Sequence, residues 1–153
     1  MSNESRVMAA AIQSRDAFDA IASQVNDGDL TEQAALIWRV IGEYYERDPG
    51  CTACDGDLLA EAVCRELTSD KHRNTLRPVV QGLANSLTSP QNVIHDFIAV
   101  KREAAGERLA AALIAGRHDA ATAELLSTYE GWTSADSLGE DKEEVVRGLA
   151  LTE

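Results

Sequence analysis

Apolar residues along this chain recur at helical spacing, with turn signals between the periodic stretches. Over residues 5–25, Val7, Met8, Ala11, Ile12, Phe18, Ile21 and Val25 form one stripe and predict a first helix. Asn26, Asp27, Gly28 and Asp29 make a turn cluster. Asp29 with Glu32 has the form of a capping box, and Thr31 is a rival cap. The second helix runs to about residue 47 with Leu36, Ile37, Val40, Ile41 and Tyr44 facing inward, and Trp38 beside them reads as core. Tyr45 follows Tyr44 directly, so one of the two rings must face away. Asp48, Pro49 and Gly50 stop this helix. Asp55 or Asp57 caps a third helix carrying Leu58, Leu59, Ala62, Val63 and Leu67. A fourth spans about 70–87 through Leu76, Val79, Val80, Leu83 and Leu87. Pro78 inside it must start the helix or kink it, because proline lacks an N–H and clashes with the preceding turn.

Ser89 followed by Pro90 marks a helix start, with serine at the cap and proline at the first position. No breaker follows until Gly116, so this helix is the longest, roughly 35 Å at 1.5 Å per residue. Val93, Ile94, Phe97, Ile98, Ala105, Leu109, Ala112 and Leu113 form its stripe. Gly116, Arg117 and His118 make a tight connection, and Asp119 caps a partner helix through Leu125, Leu126 and Tyr129. The pair describes an αα-hairpin. Nothing later in the chain offers a cover for its outer side, which is the first hint of a partner. Residues 131–137 read as a linker and 140–146 as a short, marginal helix. The pattern therefore predicts an all-α chain: a head of about four helices (about 5–88), a hairpin (about 90–130) and a tail (131–153).

Composition agrees with helices. Aromatic residues are 5%, hydrophobic residues 44% and charged residues 26%, with Ala and Leu dominant. A chain of 153 residues is one domain long and can bury a real core. The net charge of -12 opposes direct binding to nucleic acid phosphates or anionic lipid. Any work near DNA is expected to pass through another protein. No apolar stretch suits a membrane span, and the polar start lacks a signal core, so a cytoplasmic setting is expected, the host cytoplasm if the chain is phage-encoded. An odd count of three cysteines argues against a disulfide framework.

Candidate chemistry is sparse. Cys51 and Cys54 form a CxxC, a spacing used for zinc, for redox pairs and by ordinary loops. Cys64, His72 and His118 are the spare ligands, but none repeats paired finger spacing. Cys64 sits on the core face of the third helix, where a free cysteine is usually just buried. A plain loop is the expectation, with a zinc enzyme on Cys51, Cys54 and Cys64 the weakest alternative. His72, His95 and His118 are scattered, and the carboxylates fall on polar helix faces. Neither a phosphate-cradling G-x-x-x-x-G-K-[ST] nor a G-x-G-x-x-G is present. No catalytic residue, metal or cofactor is assigned.

The order of elements resembles the N-terminal domain of DnaB-type replicative helicases, in its diverged bacteriophage form. The resemblance covers about residues 7–129. It rests on the first helix, on Leu36 to Ile41 followed by Tyr44, Tyr45 and an acidic-Pro turn, and on Asp57, Leu58 and Leu59 opening the third helix. It continues through Ser89, Pro90, Gln91, Asn92 and Val93 at the hairpin start, and Lys101, Arg102 and Glu103 on the long helix. These are patterns of apolar and turn residues, not catalytic signatures. Family members continue into a RecA-like motor with Walker motifs. Residues 138–153 fall where the linker to that motor would lie, so a helicase domain separated from its motor is expected.

The resemblance implies hairpin-mediated dimers, up to a hexamer as a trimer of dimers, with docking surface for primase or a loader. The self-association candidates are Val93, Phe97, Ala105, Leu109, Leu113, Leu125, Leu126 and Tyr129, some of which must instead pack the hairpin internally. Trp132 is the candidate for docking a partner. The alternative is a stand-alone helicase-binding adaptor, loader or inhibitor of the same helical fold.

Overall fold

A computed structural model describes the backbone of residues 1–117 and 119–137, and side chains within this span up to Gly131. Every regular element among them is helical: α1 (Asn3–Gln13), α2 (Arg15–Ile21), α3 (Glu32–Arg47), α4 (Gly56–Arg65), α5 (Asp70–Asn85), α6 (Val93–Ile114) and α7 (Ala120–Ser137), with 3-10 turns at Ala22–Gln24 and Pro90–Asn92. The all-α expectation holds.

The stripe over 5–25 is two helices, not one. Ser14 adopts an extended backbone, and its hydroxyl accepts from the Ala17 amide at 3.2 Å, capping α2. A serine that bonds to nearby backbone competes with the helix it interrupts. All of residues 7–12 are buried, so α1 is covered on every side. It feeds two cores. Met8, Ala11 and Ile12 join Ile37, Ile41, Leu59, Val63 and Val80 of α3, α4 and α5. Val7 and Ala10, on the other side of α1, join Ala17, Ile21, Val93, Phe97 and Val100 of α2 and α6.

The inward face of α3 is shifted from the predicted one. Ala34, Ile37, Val40, Ile41 and Tyr45 are buried, while Leu36 and Tyr44 are half-buried. Tyr45 wins the inner position because its hydroxyl donates to the Ala11 carbonyl at 2.5 Å and its ring packs near Phe18. Tyr44 stays nearer the surface, where its hydroxyl accepts from the Asp55 amide. The Asp29 capping box does not form. Thr31 holds the cap position without a side-chain cap bond, and its hydroxyl donates to Glu4 instead.

Asp55, not Asp57, caps α4, accepting from the Asp57 and Leu58 amides at 3.0 Å each. Pro78 neither starts nor ends α5, which runs through it with Pro78 on the exposed side. Gly56 permits close packing of α4 on α5, since a Cβ there would lie 2.7 Å from that of Ala84. At the hairpin start, Pro90 opens a 3-10 turn rather than the α-helix, and Ser89 makes no side-chain cap bond. Gly116, with φ of 74°, ends α6. The Arg117 amide reaches the Ala112 carbonyl and the Gly116 amide that of Leu113, the paired bonds of a Schellman motif.

Residues 131–137, expected as a linker, continue α7. Gly131 has no positive φ, and no proline follows it here. A lone glycine costs a helix about 1 kcal/mol and need not end it. The marginal helix expected at 140–146 lies outside the described residues.

Candidate assembly surface

Helix α6 changes environment along its length. Its first half is core: Val93, Phe97 and Val100 pack against α1 and α2. Its second half packs on α7. The Tyr129 ring lies so near Gly106 that a Cβ there would approach it to 3.1 Å. Ala112 and Thr122 are buried, and Leu109, Leu125 and Tyr129 are half-buried along the hairpin. Asp119 caps α7 by accepting from the Thr122 amide and hydroxyl at 3.0 and 3.1 Å. These two bonds hold its carboxyl below the usual range.

This geometry sorts the eight hairpin candidates. Val93, Phe97 and Ala105 are buried within the chain itself and offer no outward surface. Their stripe was read correctly as apolar, but α1 and α2 cover much of it. Leu109, Leu125 and Tyr129 form the half-buried seam. Leu113 and Leu126 stand exposed, at 50% and 42%. Ile114, not singled out in the sequence, is 88% exposed. Its signal was an isoleucine beside the stripe in the last turn before Gly116. Trp132 lies on the α7 backbone, and its side chain is outside the described residues.

A second apolar lip lies at the far end of the head. A shallow cleft of about 640 Å³ is lined by Met1, Arg6, Leu87, Ser89, Asn92 and Asp96. Burial pushes the Asp96 carboxyl up, and Arg6 and His95 partly offset it. Leu87 and Met1 are exposed at its edge.

The CxxC segment is clamped by α1 and α2. The Cys54 amide donates to the Ile12 carbonyl, the Arg15 amide to that of Thr52, and the Arg15 guanidinium to those of Asp48 and Pro49. All three cysteines are free thiols. Burial pushes the Cys54 thiol up to about 11, a shift that a hydrogen bond with Tyr45 opposes. Burial also raises the Tyr45 hydroxyl well above its ordinary value, with Cys54 adding to the effect. Cys64 is buried elsewhere, its thiol near the Arg73 carbonyl. Among the described residues, no three His, Cys, Asp or Glu side chains are grouped to hold a metal ion. Also among them, no helix is long and apolar enough to cross a membrane.

Compared with known proteins, the chain matches no family description, no curated protein and no solved structure.

Proposed function

We propose that this chain is a non-catalytic assembly and docking domain, working through the outer face of its hairpin. One observation carries the reading: Leu113, Ile114 and Leu126 are exposed on a hairpin whose distal half lies outside both head cores. Large apolar side chains left exposed on a projecting element are candidates for an interaction surface. Covering them is worth about 25 cal/mol per Å² before association costs. The resemblance in element order gives the reading its content: the N-terminal domain of a replicative DNA helicase, self-associating into dimers and up to a hexamer, and receiving a primase or loader. The acidic balance suits contacts with proteins rather than with DNA.

Light scattering across a wide concentration range tests self-association. A dimer or higher multiple is expected, and Leu113→Glu or Leu126→Glu returns the chain to monomer with its helicity intact. Leu109→Glu, on the half-buried seam, loosens the hairpin itself. A wild type that stays monomeric at the highest concentration removes the self-association reading. In that case, capture of an intact replicative helicase would favour the adaptor alternative.

A further inference from the structure

One loop of the head touches α6 where it passes from the head to the hairpin. The Asp29 carboxylate accepts from the Asn26 amide at 2.8 Å and meets the Lys101 ammonium at 2.5 Å. Its other oxygen lies 3.9 Å from the Arg108 guanidinium. Lys101 and Arg108 are seven residues apart on α6, about two turns, and so share one face. The Asp29 and Lys101 side chains are almost withdrawn from solvent, at 1% and 7%, while Arg108 is half exposed. Gly28, with φ of 87°, turns the loop so that its backbone passes beneath Arg108. Thr31, at the end of the loop, is tied to α1 through Glu4.

The α6 residues of the second core end at Val100. Leu109 and Ala112, further along, belong to neither core. Past Val100, α6 is held to the head by polar contacts, Asp29 with Lys101 and Arg108 and the Asn3 side-chain amide donating to Glu103 at 2.7 Å, and the hairpin projects beyond them. Apolar burial is non-directional and tolerates small rotations. A buried ion pair is directional, and fixing register is its best-attested role.

We infer that the 26–30 loop braces the hairpin against the head, with Asp29 as the positioning residue that sets the angle at which the hairpin leaves. Ala115 stands about 21 Å along the helix from Lys101, so a tilt of about 15° moves the tip by about 5 Å.

The test is a spin-label distance between the exposed residues Leu58, on the head, and Ala115, at the tip. Labels attached through ketone-bearing unnatural residues leave the three cysteines untouched. Dilution with unlabelled protein confines the signal to one chain, so the result stands apart from self-association. The wild type gives one narrow distribution. Asp29→Asn shifts it by about 5 Å or broadens it about twofold, with helicity by circular dichroism unchanged. A distribution identical to wild type overturns the brace. If Asp29→Asn unfolds the head, the double variant Asp29→Leu/Lys101→Leu, which leaves no unpaired buried charge, is measured instead. The same shift or broadening supports the brace, and a wild-type distribution overturns it.

Discussion

The Tyr129 ring of α7 rests against Gly106 on α6, so near that a Cβ at that position would meet it at 3.1 Å and the ring would have to yield by a few tenths of an ångström. The missing Cβ leaves room for the ring between the two hairpin helices. Gly106→Leu forces the ring away and opens the half-buried seam of Leu109 and Leu125. Overpacking of this kind costs about 1–3 kcal/mol. Hydrogen exchange read by mass spectrometry is expected to show faster exchange across α7, with α3 and α4 unchanged. Equal loss across the whole chain would show that hairpin and head unfold together.

Removing Lys101 from the buried pair leaves the Asp29 carboxylate in the interior with only the Asn26 amide and the half-exposed Arg108, 3.9 Å away. Lys101→Met is expected to cost about 3–5 kcal/mol. Asp29→Leu/Lys101→Leu recovers most of it. Urea denaturation of the single and double variants measures the difference. A single variant within about 1 kcal/mol of wild type would mean that water already reaches Asp29.

Tyr45→Phe keeps the ring beside Phe18 and removes the hydroxyl that donates to Ala11. A buried carbonyl loses its partner, at a cost of about 1–3 kcal/mol. The urea midpoint falls while the slope stays constant. An unchanged midpoint would mean that the Ala11 carbonyl finds another donor.

Asp96 and Asp119 pull the pH dependence of stability in opposite directions. Asp96 has a raised folded-state pKa, so between its unfolded and folded values the native chain binds more protons and stability falls as pH rises. Asp96→Asn therefore stabilises the chain above that window and flattens this part of the curve. Asp119 has a lowered folded-state pKa; its contribution is present above the unfolded value and lost as pH falls through the folded one. Asp119→Asn keeps a capping side chain and removes the charge, so it reduces the acid loss at α7. Denaturation midpoints from pH 2.5 to 7 (roughly the range of carboxyl titration) separate the two. An unaltered slope in Asp96→Asn would contradict the burial of its carboxyl.

Thiol reactivity discriminates among the cysteines. Cys54 is buried with its thiol pushed up to about 11, so little thiolate exists at neutral pH. Cys51 is only half-buried. Brief alkylation at pH 7.5 (about one unit below the ordinary thiol value), mapped by peptide mass, is expected to label Cys51 first and Cys54 last. Equal labelling would mean that the clamped segment opens faster than the reagent reacts.

The sequence by itself determined the helical class, the turns near Gly28, Pro49 and Gly116, and the long helix with its hairpin; it passed over the break at Ser14 and read a linker at 131–137 where α7 continues. Periodicity, caps and glycines act over a few residues and need no partner to be read. Ser2, Asp55, Ser69 and Asp119 all cap helices as their residue type favours. Only the tertiary structure decided which apolar residues are spent inside. Val93 and Leu113 belong to one predicted stripe, yet one packs on α1 and α2 and the other faces solvent. Periodicity gives the face of a helix but not the neighbour that covers it. The fate of Asp29 was hidden for the same reason. A carboxylate three residues before Glu32 has the spacing of a cap, but Lys101, distant in sequence, claims it. Local chemistry proposes partners within a turn or two, and long-range packing chooses among them by removing water from some side chains and leaving it on others.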